Sequence, residues 1–269
     1  MSNAAEIYEE AHVPALFRPA AELLVTAAPP RPGDRVLDVA CGTGIVLRTA
    51  ASHVGPDGTL TGVDINPDMV TVARQVAERE GIAAEFHEAP AETLPFADGS
   101  FDVVLCGLGL MYFTDRPAAL AEMRRVLADG GRLALTVWQD IARQHPIHPT
   151  FLQAMATPLG YADYRELPNP FSLGDTEGLR SLLADAGFDG VELEPAEMTA
   201  WFPNPQGWLE ESIQAATVAI PAFKDLDEVE QEDVTEHVKR EVEPFVEELT
   251  VDGQLALPMH PQIVHATCS

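Results

Sequence analysis

Lysine is nearly missing from this chain of 269 residues, where Lys224 and Lys239 are the only two. With 16 basic residues against 43 acidic ones, the formal charge is −27. No basic surface able to neutralise a phosphate backbone can be assembled from that set, which excludes a nucleic-acid partner and disfavours anionic membranes. Cysteine is almost as scarce. Cys41, Cys106 and Cys268 form no Cys-x-x-Cys pair and no zinc-like spacing, so neither a disulfide framework nor a metal site is expected. Cys41 and Cys106 fall at strand ends beside one turn and read as small residues filling tight space. No apolar run approaches the length of about 20 residues that spans a bilayer, and no basic-then-apolar leader stands at the N-terminus, so a soluble, cytoplasmic protein is expected. Core-forming material is ample: 46% of the residues are hydrophobic.

The most informative stretch is Val36-Leu37-Asp38-Val39-Ala40-Cys41-Gly42-Thr43-Gly44, an apolar strand that ends in a glycine turn opening into a helix. Glycine at 42 and 44 admits positive φ angles and lets a bound molecule approach the backbone. Further on, Thr59-Leu60-Thr61-Gly62-Val63-Asp64 puts a carboxylate at the end of a second strand, the position that holds a ribose in a parallel α/β sheet. A nicotinamide fingerprint would want a small residue at 47, where Leu47 stands.

From residue 34 the hydrophobic pattern predicts strands at 34–40, 58–64, 83–88, 101–107 and 131–138, with helices at 44–53, 67–80 and 115–128. Asn66-Pro67-Asp68 starts the second of these helices, and Asp129-Gly130-Gly131 ends the third. Helical spacing over 1–30 predicts one or two helices ahead of the first strand. After Trp138 the rhythm breaks: irregular segments at 144–149 and 167–170 flank a helical stretch and read as a lid over the ligand edge of the sheet. A helix at 175–186, a strand near 188–195, helices at 206–220 and 226–249, and a last strand over 254–267, bent or interrupted at its prolines, complete the chain. The expected fold class is α/β: a Rossmann-like doubly wound sheet of about seven strands, mostly parallel with an antiparallel last strand, plus N-terminal helices and a helical lid. A single domain is expected over 1–269. It divides into a helical cap (1–30), a cofactor-binding core (31–138), lid and substrate-side elements (139–175 and 200–250), and closing strands (176–199 and 251–269).

Four motifs occur in order: Val36 to Gly44; Asp64-Ile65-Asn66-Pro67; Ala91-Glu92-Thr93-Leu94-Pro95-Phe96-Ala97-Asp98-Gly99-Ser100-Phe101-Asp102; and Glu122-Met123-Arg124-Arg125-Val126-Leu127 followed by Gly130-Gly131. Together they resemble the class I S-adenosylmethionine-dependent methyltransferases, densely over 34–138 and loosely elsewhere. The branch most similar is the small-molecule group that includes the quinone-biosynthesis C-methyltransferases. The resemblance implies S-adenosylmethionine as cofactor, with Asp38 near its methionine amino group and backbone at Ala40, Gly42 and Gly44 approaching its methionine and ribose portions. Asp64 would accept from both ribose hydroxyls. Ile65 and Met69 would pack on the adenine, and the N–H of Ala91 would donate to an adenine nitrogen. Where the family often has an acidic acceptor for the adenine amino group this chain has Pro90, which leaves that role to Glu92 or a neighbouring carbonyl. Cys106 and Gly107 would line the path from methyl group to acceptor.

Methyl transfer from a sulfonium is an in-line displacement with a neutral leaving group, so alignment and desolvation dominate and no metal is required. A base is needed only where the acceptor keeps its proton; the candidates are His145, His148 and Tyr112, with the N-terminal Tyr8 beside them. Leu108, Leu110, Met111, Tyr112 and Phe113 serve equally well as an acceptor pocket or as core. Cys106-Gly107-Leu108-Gly109 replaces the Asn-Pro-Pro-Tyr of enzymes acting on nucleic-acid amino groups. The expected partner is therefore a small apolar or aromatic acceptor, for a monomer or homodimer. Two other functions stay open at this level: an NAD(P)-dependent oxidoreductase and a non-catalytic S-adenosylmethionine-binding protein. The acidic run within 226–249 reads as a solvated face; with the shortage of lysine it resembles the surfaces of proteins from halophiles, whose internal repulsion is screened by salt.

Overall fold

The computed structural model describes residues 4–167 and 169–268, so Pro168 of the irregular segment 167–170 lies outside the described residues. Among the described residues ten strands occur: β1 (Arg35–Val39), β2 (Thr59–Asp64), β3 (Glu85–Glu88), β4 (Phe101–Gly107), β5 (Leu127–Trp138), β6 (Asp189–Pro195), β7 (Met198–Phe202), β8 (Thr250–Val251), β9 (Gln254–Met259) and β10 (Pro261–Thr267). Seven of them form one sheet in the order β3-β2-β1-β4-β5-β10-β6, in which β10 alone runs antiparallel to its neighbours. The order reverses between β1 and β4, where a crevice opens beyond the carboxyl ends of the strands.

The N-terminal cap is α1 (Ala4–Ile7), a π-helix over Tyr8–Phe17, and α2 (Arg18–Ala27). The crossover helices are α3 (Ile45–Val54), α4 (Pro67–Glu80) and α5 (Arg116–Val126). Local chemistry sets their ends. Asn66 caps α4 by accepting from the Asp68 N–H at 2.9 Å, with Pro67 in the first turn, and Gly81 stops it in the left-handed conformation.

Two expectations need correcting. The strand expected from 131 begins at Leu127, directly after α5: while β4 advances from 101 to 103, β5 advances from 127 to 132, and the turn at Gly130–Gly131 absorbs the surplus as a bulge. The tail, expected to close the main sheet over its whole length with a bend or interruption at its prolines, breaks at His260 into two strands that belong to two sheets. Residues 254–259 pair instead with β7 and β8 in a small antiparallel sheet ordered β7-β9-β8. Pro258 fits there because it faces Thr199 on one side only and needs no N–H on the other.

The substrate-side elements are α6 (Ile147–Ala156), α7 (Thr176–Asp185), α8 (Pro205–Ala219), α9 (Pro221–Lys224) and α10 (Glu228–Glu248). In α10, Val234, Val238, Val242 and Val246 recur every fourth residue, and this buried seam packs on α6 and α8 while the acidic side chains face outward. No helix among the described residues is long and apolar enough to cross a membrane.

Candidate active site

The site grows from the end of β1. Ala40 (φ 58°), Gly42 (φ 52°) and Gly44 (φ 86°) all adopt left-handed backbone, and the Gly44 N–H closes the turn on the Cys41 carbonyl at 2.8 Å. A Cβ at Gly44 would stand 3.2 Å from the Phe86 ring, a tight contact added to the positive φ that already favours glycine there. Asp64 joins this turn to the next one: one carboxylate oxygen accepts from the Gly42 N–H at 2.8 Å, the other from the Asn66 N–H at 2.9 Å.

Asp38 is fully buried and neither of its carboxylate oxygens has a partner. Burial, and then the charge of Asp64, push its carboxyl well above the usual carboxylate range. An orphaned buried carboxylate is costly unless something cationic meets it. The Thr43 hydroxyl is also buried and unpartnered.

Next to this turn lies a cleft of about 100 Å³, with Val39, Val63 and Ala89 as apolar lining and Asp64 and Glu92 as polar lining. Ile65 and Tyr112 also line it, yet are 68% and 70% exposed, leaving apolar surface open to a flat ligand. The Glu92 carboxylate accepts from the N–H groups of Thr114 and Asp115 at 3.2 and 3.3 Å, tying the rim to the start of α5. The Leu94-to-Asp98 motif is laced to α5 in turn. Arg125 grips the Glu122 carboxylate at 2.6 and 2.7 Å, reaches Asp98 at 2.8 Å, and donates to the carbonyls of Phe96 and Leu94, while Glu122 accepts from the Leu94 N–H. The Arg125 fork holds the Glu122 carboxyl below its ordinary pKa.

Of the residues singled out from sequence, the cleft brings together Ala40, Asp64, Ile65, Pro90, Ala91, Glu92, Tyr112 and Phe113. Met69 packs instead among Ala5, Val72 and Val76. Cys106 is fully buried beside Gly109, its thiol pushed up to about 12 by desolvation, and a Cβ at Gly107 would meet Val46 at 2.8 Å. Cys41 is likewise buried, with its thiol raised mainly by desolvation. His145 and His148 lie at the start of α6. The Nδ1 of His145 accepts from the Ile147 N–H at 3.3 Å, and its ring meets Phe245 edge-on. His148 hydrogen-bonds the Pro258 carbonyl and packs edge-on against Phe171, and its Nε2 is buried without a partner; chiefly through desolvation its pKa falls to about 4. Sequence reasoning missed the rim residues Ala89 and Thr114, which carry no motif, and it missed Arg48, whose signal was a lone arginine on the apolar face of α3. Among the described residues no group of three or more His, Cys, Asp or Glu side chains is arranged to hold a metal.

A ligand that fits must bring a cation to Asp38, a diol to Asp64 and a flat ring to Ile65 and Tyr112. S-adenosylmethionine carries all three as its ammonium, ribose and adenine. The comparisons agree. Residues 36–131 match the model of a methyltransferase domain. A ubiquinone/menaquinone biosynthesis C-methyltransferase of Ectopseudomonas mendocina is 38% identical over 172 residues, which covers 60% of this chain and 67% of the relative. Its counterpart in Burkholderia mallei is 34% identical over 170 residues, covering 60% and 70%. The solved YcgJ protein of Bacillus subtilis shares the fold at a TM-score of 0.61 and 18% identity, covering 93% of this chain and 97% of its own. Nothing supports the oxidoreductase alternative, and Leu47, where a nicotinamide fingerprint has a small residue, is fully buried. With its buried carboxylate, strained glycine turn and methyltransferase relatives, the chain belongs to the class I S-adenosylmethionine-dependent methyltransferases, enzymes of Rossmann-like fold, and transfers a methyl group to a small molecule.

Proposed function

We propose that the acceptor is a small apolar or aromatic molecule, and that Asp38, Ala40, Gly42, Gly44, Asp64, Ile65 and Ala91 hold the cofactor. The observation that carries the cofactor assignment is the Asp38 carboxylate, buried with both oxygens unpartnered at the root of the glycine turn. The electrophilic methyl group comes from the bound S-adenosylmethionine. Asp38 receives the ammonium, Asp64 the ribose hydroxyls, and Ile65 with Tyr112 bracket the adenine. Leu108 (φ 55°) is held in a left-handed turn by its N–H, which donates to the Thr136 carbonyl and hydroxyl, each at 3.1 Å, and so fixes the apolar segment that follows β4. Of the candidate bases, Tyr112 alone lines the cleft, whereas burial lowers the pKa of His148 to about 4 and makes it a weak proton acceptor.

The relatives act, by name, on carbon in quinone biosynthesis. That favours an electron-rich aromatic ring, and the charge of −27 disfavours a polyanionic acceptor. Incubation with methyl-labelled S-adenosylmethionine and a panel of phenols, hydroquinones, amines and transfer RNA tests this reading. Label is expected in the phenol or hydroquinone fraction; label confined to RNA or amines overturns it.

A further inference from the structure

We infer that Arg48 is a positioning residue for the methyl transfer: through Glu9 it clamps the N-terminal π-helix so that Tyr8 closes the methionine half of the cofactor site. Arg48 lies in the first turns of α3, directly after the glycine turn, and its side chain is buried. Its guanidinium forks onto Glu9 at 2.8 and 2.9 Å and reaches Glu80 at 3.0 Å. A buried ion pair is weak evidence for stability, because an apolar replacement serves as well; fixing one arrangement among several is its best-attested use. What this pair fixes is the residue next to Glu9. The Tyr8 hydroxyl stands 3.7 Å from where a Cβ of Gly42 would be, over the glycine turn.

The winding of the cap serves the same end. Nine residues of α-helix make about two and a half turns, which would put Tyr8 and Phe17 on opposite faces. In the π-helix, where the Arg18 N–H reaches back five residues to the Val13 carbonyl, both rings come to one face and pack in a tilted pair with centroids 4.7 Å apart. Tyr8 thus packs on Phe17, while its chain neighbour Glu9 is anchored by Arg48. Burial first, then the neighbouring Tyr112, Asp64, Glu9 and Asp38, keep its phenol protonated. A standing donor at this place complements the carboxylate of the methionine moiety, the group that Asp38 cannot hold.

The test is a double-mutant cycle read by calorimetric titration with S-adenosylhomocysteine and by thermal melts. Glu9→Ala leaves Arg48 paired with Glu80, so the fold is preserved. Glu9→Ala and Tyr8→Phe are each expected to weaken binding about tenfold, the worth of one hydrogen bond to a charged group. Combined, they should weaken it no more than either alone, because Glu9 acts only through Tyr8. Arg48→Lys, which cannot fork, should retain part of the affinity. Additive losses, an unaffected Tyr8→Phe, or a Glu9→Ala that lowers the melting temperature while leaving affinity unchanged would each overturn the inference.

Discussion

The end of β1 and the corner where α6 meets β9 and β10 treat buried polar atoms in opposite ways. At the first, Asp38 has no partner and its neighbour Asp64 adds repulsion. At the second, two glutamine amides and the backbone satisfy each other. Gln139 donates to the carbonyls of Pro261 and Ala196 at 2.9 and 3.2 Å; Gln144 donates to the His260 carbonyl at 2.9 Å and accepts from the His260 N–H at 3.0 Å. The first region is destabilised until a cation arrives, which is how a binding site stores affinity. The second is a stitched corner that keeps the substrate-side elements in place through its amides and backbone, and leaves single nitrogens unpartnered, the Nε2 of His148, the Nδ1 of His260 and the Nε2 of Gln262.

Their pH responses differ in sign. The folded pKa of Asp38 is raised, so its contribution to the stability of the free protein is present below the ordinary carboxylate pKa and fades as pH rises through the folded value. That of His148 is lowered to about 4, so its contribution is present above its unfolded value of about 6.5 and is lost as pH falls toward 4.

The largest effect is expected from Asp38→Asn. Cofactor affinity should fall about 100-fold, the upper end for a hydrogen-bonded charge, while the free protein melts higher at pH 8. A melting temperature that drops at pH 8 would break the contrast. His148→Leu should flatten the acid limb of the stability curve between pH 6.5 and 4, by on the order of 3 kcal/mol, leaving cofactor affinity intact; urea titrations across that range check it. Asp64→Ala should weaken S-adenosylmethionine binding by roughly 1.5 to 3 kcal/mol in calorimetric titration. Gln144→Ala sharpens the comparison from the other side: a loss of about 1 to 2 kcal/mol in denaturant unfolding, with unchanged cofactor affinity. Smallest and most diffuse is the salt effect. The charge of −27 should make the melting temperature rise by a few degrees from low to molar potassium chloride; a fall would leave plain acidity.

The cofactor half was legible because its instructions are local. Gly42 and Gly44 are demanded by backbone angles that their own turn adopts, Asn66 caps the helix two residues away, and Asp64 binds turns on either side of itself. Beyond Trp138 local signals weaken. The start of β5 was hidden because a bulge at Gly130–Gly131 looks, in sequence, like the end of a helix. The small sheet was hidden because β8 has only two residues and acquires meaning from its pairing with β9.

The sequence by itself determined the alternation of strands and helices over 34–138, the glycine turn, and the paired carboxylates Asp38 and Asp64, since each depends on contacts within a few residues or one strand. Tertiary structure alone decided that Asp38 has no partner, that His148 is neutral with one nitrogen free, and that Arg48 reaches back to Glu9. Those are properties of burial. Burial is set by which distant segments pack on a side chain and exclude its water, and neither spacing nor composition specifies that.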